Sequence, residues 1–223
     1  MKHTTIIEGE RLRLRPVREG DLPHWVKWFA DPEVTKYIAA EMDVSEKVTL
    51  DVRREWFRAQ EKNENEIVFS IELKRTGQHI GGADFRHIDE RNRRASFDIV
   101  IGDTHEWGKG YCMEATRLMV AYSFGTPARH ASQESNVKNQ SFCHSRGRPR
   151  RCPATVAGGL GLHRIYLSTD EKNSRAISCY ERCGFTREAL YREDALEPDG
   201  TYRSSVRMSI LEHEWKKSKR KNV

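Results

Sequence analysis

The sequence predicts an α/β (α+β) fold: a mixed, mostly antiparallel central sheet of about seven strands flanked by about four helices. Three observations carry this. Apolar residues recur at helical spacing in four stretches, they recur at a period of two in the middle and towards the end of the chain, and the size suits one core. At 223 residues with 37% hydrophobic content, the chain can bury one good core and is short for two, so residues 1–223 are expected to form a single domain.

Taken in order, "RLRLRPV" (Arg11 to Val17) alternates apolar and basic residues, as a strand with one buried face does. In "EGDLPHWVKWFADPEV", Leu22, Trp25, Val26, Trp28 and Phe29 fall at helical spacing behind Asp21 as N-cap, with Pro23 in the first turn. "SEKVTLDVRREWFRAQEK" predicts a second helix, capped by Ser45, with Val48, Val52, Trp56 and Phe57 on one face. From Ile67 the period becomes two. "IVFSIELKR", "HIGGADFRHID" and "RRASFDIVIGD" read as strands joined by the turns "TGQ" and "ERN", an antiparallel meander. "THEWGKGYCMEATRLMVAYSF" (Thr104 to Phe124) then sets a bare Gly-Lys-Gly turn before a helix. The strand "RIYLSTD", the helix "NSRAISCYERC" stopped by Gly184, and the strands "TREALYRED" and "YRSSVRMSILEHEW" around "EPDG" complete the pattern. Residues 216–223 are expected to be a solvated, flexible tail.

Residues 126–158 fit none of this, being rich in Ser, Arg, Pro and Gly with no apolar period. They are read as a disordered insertion, because structureless loops of this length are rare inside compact domains. The net charge of +6 comes largely from here: the rest of the chain balances at 33 basic against 32 acidic residues. A general nucleic-acid surface is therefore not expected, although the "RGRPRR" cluster keeps an RNA-associated reading open. No apolar run approaches the roughly 20 residues of a bilayer helix, and the start has no signal core, so a soluble, cytoplasmic protein without membrane partners is expected. The odd count of five cysteines, none at zinc-finger spacing, predicts free thiols and no metal site. Cys179 and Cys183, four apart in a helical pattern, read as a half-buried face.

The glycine turn has a chemical use. A helix start presents unpaired N–H groups and about half a positive charge, enough to seat a phosphate. Gly108 and Gly110 let the backbone form a concave nest leading into Tyr111, Lys109 adds charge, and Ala115, Leu118, Met119 and Tyr122 anchor the helix behind it. A strand-to-helix turn that simply needs glycine explains the same residues. Further on, Asn173, Ala176 and Tyr180 lie three and four apart, one helical stripe combining an amide, a gap and a phenol.

"IGDTHEWGKGYCMEATRL" followed by "LGLHRIYLSTDEKNSRAISCYERCGFTREALYRED" resembles the GNAT superfamily of N-acetyltransferases, in particular the ribosomal-protein N-terminal and diamine acetyltransferase subgroup. The likeness runs from "ERLRLRPVREGDLP" to "RMSILEHEW", apart from the insertion. It implies acetyl-CoA as cosubstrate, with its pyrophosphate on a Gln/Arg-x-x-Gly-x-Gly/Ala loop. The corresponding residues are Trp107, Gly110 and Cys112; the central glycine matches, whereas Trp107 and Cys112 depart from the pattern. The resemblance also implies that the pantetheine arm pairs with the backbone of Ile99, Val100 and Ile101 where the sheet splays, that Asn173 contacts the arm, and that Tyr180 is the general acid. For the base, the family often has Glu on this strand; here Ser96 stands there, with Asp98 two residues on and on the same face. No cysteine is placed as an acyl carrier, so direct attack is expected. The acceptor is a small-molecule or peptide amine: a protein N-terminus, a polyamine or another small amine. A catalytically inactive acyl-CoA-binding regulator is the alternative, and the chain is expected to be a monomer or homodimer.

Overall fold

The computed structural model describes residues 4–38, 48–60, 62–125, 159–197 and 200–221. They form a single eight-stranded sheet. In chain order the elements are β1 (Ile7–Glu8), β2 (Leu12–Pro16), α1 (Leu22–Phe29), α2 (Pro32–Thr35), α3 (Leu50–Ala59), β3 (Ile67–Leu73), β4 (His79–Asp89), β5 (Arg94–Ile101), α4 (Tyr111–Phe124), β6 (Arg164–Asp170), α5 (Ser174–Arg182), β7 (Thr186–Leu196), β8 (Tyr202–Leu211) and α6 (Glu212–Lys221). The spatial order is β1-β2-β3-β4-β5-β6-β8-β7, antiparallel throughout except between β5 and β6.

That parallel pair decides where a site can form. β5 and β6 pair only from Arg94, Ala95 and Ser96 to Arg164, Ile165 and Tyr166, while β5 stays paired to β4 up to Ile101 and β6 to β8 up to Asp170. Beyond Ser96 the two strands part, and the sheet opens into a wedge.

The period-two pattern sorts side chains to two faces. Ala83, Phe85, Ala95 and Phe97 join the main core beneath α4, where Ala115, Leu118, Met119 and Tyr122 are buried. The opposite face carries Gly82, Val100 and Gly102 beneath a smaller cluster of Trp25, Trp28, Phe29 and Val34. A Cβ on Gly102 would lie 2.1 Å from Trp28 Cδ2, so the indole packs directly on the backbone there.

Several details differ from the sequence reading. Asp21 does not cap α1 with its side chain. Its buried carboxylate instead accepts hydrogen bonds from Arg15 Nη1 and Nη2 (2.7 and 2.8 Å), the Arg18 amide (2.8 Å) and Ser70 Oγ (2.7 Å). Arg15 is buried as well, its Nε bonded to Glu72 at 2.7 Å, so the basic residues of β2 do not all face water. α3 begins at Leu50 with Thr49 Oγ1 accepting from the Val52 amide at 3.3 Å; Ser45 lies outside the described residues. No α3 residue is fully buried, and Val52 is 46% exposed. The last strand stops at Leu211, and Glu212–Lys221 is a helix whose Trp215 packs on Phe124 at 5.6 Å.

Residues 126–158 lie outside the described residues, but the chain on either side of them does not. Gly161 N bonds Gly125 O at 3.0 Å and Leu162 N bonds Ser123 O at 2.8 Å. Backbone hydrogen bonds thus hold the described residues on the two sides of that segment together.

Candidate active site

A cavity of about 410 Å³ fills the wedge and passes from one face of the sheet to the other. On the α4 side it is lined by Trp107, Gly108, Gly110, Tyr111 and Cys112, and by Asn173, Ala176, Cys179 and Tyr180 of the α5 segment. Asp98, Ile99, Val100 and Ile101 form the wall that β5 contributes, facing Ser168 and Thr169 of β6. On the far side it opens among Glu33, Val34, Tyr37, Ile38 and Arg86. Twelve of the fourteen residues singled out from the sequence line this space. Ser96 and Lys109 do not: Ser96 sits at the apex of the wedge, where β5 still pairs with Tyr166, and Lys109 turns its ammonium to Glu106 at 2.8 Å.

The turn owes its glycines to backbone conformation. Gly108 and Gly110 have φ of 75° and 81°, and no side chain caps α4. The first amides of this fourteen-residue helix are therefore left for a ligand. Around the turn is a frame that the sequence did not reveal. Arg11 Nη1 donates to the Lys109 carbonyl at 2.8 Å, its Nε to Glu114 Oε2 at 2.7 Å, and its guanidinium lies 4.7 Å from the Tyr111 ring centroid. Trp107 Nε1 donates to the Ile101 carbonyl at 2.7 Å, and the Arg175 guanidinium sits 4.2 Å over its indole. Positive charge, exposed amides and a fixed backbone converge on one end of the cavity, as a diphosphate requires.

Asn173 is the N-cap of α5, its Oδ1 accepting from the Ala176 amide at 3.1 Å, so its side-chain oxygen is committed to the helix. Tyr180 is buried between Phe97 and Phe185, with ring centroids at 6.5 and 5.8 Å. Burial, reinforced by the Asp98 charge, pushes its phenol well above the usual value, which keeps it protonated at neutral pH.

Asp98 faces a partner missed from the sequence. Asp84 of β4 stands directly opposite it in register. Arg86 Nη2 donates to Asp84 Oδ2 at 3.2 Å, and its Nε lies 4.0 Å from Asp98 and 3.4 Å from Glu66. Burial first, and the Asp98 charge second, push the Asp84 carboxyl well above the carboxylate range, against the pull of Arg86. The signal was an acid inside the otherwise buried run "GGADF", but its partner depends on the hairpin register.

Among the described residues no cluster of three or more His, Cys, Asp or Glu side chains is arranged to hold a metal ion, and no helix is long and apolar enough to cross a membrane.

A splayed mixed sheet with an uncapped glycine turn at the wedge defines a class. The chain belongs to the GNAT acetyltransferases: the model of the acetyltransferase (GNAT) domain matches residues 11–186. By class it is an acetyl-CoA-dependent N-acetyltransferase. It is 26% identical to the uncharacterized N-acetyltransferase p20 of Bacillus licheniformis, over 82% of this chain and 84% of that protein. It is 27% identical to the spermidine N(1)-acetyltransferase of Escherichia coli over 62% of this chain, a match that spans only 56% of that enzyme. Among solved structures, the spermidine N-acetyltransferase of Vibrio cholerae in complex with CoA and spermine superposes with a TM-score of 0.69 at 23% identity, covering 92% of this chain and 98% of the other. At that identity the likeness is one of fold.

Proposed function

We propose that this chain transfers the acetyl group of acetyl-CoA to a primary amine of a small, polyamine-like cation by direct attack. The observation that carries the reading is the two-ended cavity. One end joins the glycine turn, Arg175 and Tyr180; the other joins Glu33 and Asp98, with Asp84 and Glu66 behind. Cofactor and acceptor would enter from opposite faces and meet in the wedge. Polyamine acetylation by relatives supports the choice of acceptor.

The thioester supplies an activated acetyl group. The chain's residues would do the rest. Amides 111–113 and Arg175 hold the diphosphate, which aims the sulfur end along β5. Backbone of Ile99 to Ile101, on the edge that β6 leaves, would pair with the arm and donate an N–H to the reacting carbonyl oxygen, a contribution that grows in a water-poor cleft. An amine of pKa about 10.4 is roughly one part in 10³ neutral at pH 7, a handicap of about 4 kcal/mol. Asp98 is the base that reduces it. Tyr180 protonates the departing thiolate in a step coupled to C–S cleavage, since burial makes its phenol a weaker acid than a free one. Ser96, away from the cavity, takes no direct part in this scheme.

A thiol-release assay with acetyl-CoA across spermidine, spermine, diamines, an aminoglycoside and alanine-terminated peptides tests this. Turnover highest on the polyamines is the expected result. Turnover confined to peptide N-termini would overturn the acceptor class, and none on any amine would overturn the activity.

A further inference from the structure

The cofactor wall carries three thiols that acyl transfer leaves unused. Cys112 stands in the first turn of α4, Cys179 one residue before Tyr180 on α5, and Cys183 at the end of α5. Cys112 Sγ and Cys179 Sγ are 3.5 Å apart, both half-buried and both lining the cavity. Cys183 Sγ lies 3.7 Å from the Met113 carbonyl. We propose that Cys112 and Cys179 form a redox-modification site, in which oxidation by a peroxide joins them in a disulfide that disables the phosphate-facing turn.

Three features point the same way. Closing the gap to the about 2.05 Å of a disulfide needs a shift of about 1.5 Å, within reach of two half-buried side chains on packed helices. Cys179 is the thiol that meets Cys112 at 3.5 Å, and the Cys112 and Cys183 thiols, against burial and with Thr116 and Arg117 nearby, favour negative charge on its sulfur, which gives it the attacking role in the proposal. The shared cavity gives a small oxidant a route to the pair. In the reaction the Cys179 thiolate attacks one peroxide oxygen, the O–O bond breaks and water leaves after taking up a proton, giving a sulfenic acid. Cys112 sulfur then attacks the Cys179 sulfur, the S–O bond breaks, and the Cys112 proton leaves with the hydroxyl as a second water. Two thiols are oxidised by two electrons, one peroxide is reduced to two waters, and a dithiol reverses the change by exchange.

Cys112 also supplies one of the uncapped amides. Side-chain rotation covers part of the shift of about 1.5 Å; whatever share the first turn of α4 takes up tilts that amide and narrows the wall beside Tyr180, and small misplacements are costly to bound geometry.

The test treats the full chain with hydrogen peroxide, maps disulfides by peptide mass, and measures coenzyme A binding by calorimetry before and after dithiothreitol. A Cys112–Cys179 peptide two hydrogens lighter, with coenzyme A affinity lower by at least on the order of tenfold and restored by reduction, is the expected result. Cys179→Ser, compared with its own untreated form, should keep its affinity through peroxide. A link from Cys179 to Cys183 instead, or no link, overturns the site. The expected link with unchanged coenzyme A affinity overturns the gating. A reduced chain that binds no coenzyme A would overturn the acyl-transfer reading and the gating together, while the peptide map still decides the modification site.

Discussion

Replacing Gly110 by alanine isolates the backbone's share in holding the cofactor. A Cβ there meets nothing closer than Arg11 Nη2 at 3.5 Å, an ordinary contact, so the penalty comes from φ of 81°. Holding an L-residue in that region costs about 1–2 kcal/mol, which in a chain of this size lowers the melting temperature by about 2–8 °C. Part of that strain is released by a tilt of the turn away from the left-handed region, and the same tilt swings the amides at 111–113 away from the ligand. A loss of about 1.4 kcal/mol in binding is then a tenfold weaker coenzyme A complex. Gly77→Ala is the control, because its φ of 71° and empty surroundings impose the same strain in the turn between β3 and β4, away from the cavity. Calorimetric melting and coenzyme A titration of both variants should show similar losses of stability but a loss of affinity only in Gly110→Ala. Equal affinity in both variants would refute the assignment of the turn as the anion seat.

Tyr180→Phe should lower kcat by about 10²–10⁴-fold while leaving coenzyme A affinity within a few-fold; unchanged turnover would remove Tyr180 from the acid role. Asp21→Asn strips the buried Arg15 of its bidentate partner and should cost about 3–5 kcal/mol in urea unfolding at pH 7. Burial alone would raise the Asp21 carboxyl, but Arg15, with the Arg18 amide and Ser70, holds it down to about 2; its contribution is present above about pH 4 and disappears as pH falls through 2, so wild type and variant should converge in acid. Asp84 has the opposite sign: with its carboxyl raised to about 8, stability is lost as pH rises from about 4 through 8, so Asp84→Asn should melt higher than wild type at pH 9 and close to it at about pH 4. Replacing residues 126–158 by about four residues shortens the closure by three doublings, worth about 2 kcal/mol, and should leave a folded chain with intact coenzyme A binding; failure to fold would show that the segment supports the core.

Period and spacing made most of the architecture legible, because short apolar runs bounded by turn residues mark the strands from Ile67 to Ile101, buried on both faces along β3 and the start of β4, and α4 follows its glycine turn. What stayed hidden depends on distant partners. Asp21 has the local look of an N-cap before Pro23, yet Arg15 and Ser70 from neighbouring strands claim its oxygens. Thr49 rather than Ser45 caps α3, a choice between two similar hydroxyls that local sequence does not decide. Arg11 reaches Glu114 across 103 positions, and Cys112 meets Cys179 across 67. Asp84 opposes Asp98 only once the hairpin register is set. The candidate site followed the same division: the turn and the Asn173–Tyr180 stripe carry local signals, whereas the clamp, the carboxylate pair and the thiol cluster exist only in the folded chain.

The central claim is that a diphosphate sits on the amides at the start of α4 and its arm runs along β5 into the wedge. Titrating ¹⁵N-labelled protein with coenzyme A and following the amide resonances tests this directly. The account predicts the largest shifts at Gly108 to Met113, with a second set at Asp98 to Ile101. Shifts concentrated elsewhere, or saturable binding that leaves Gly110 and Tyr111 unmoved, would contradict it.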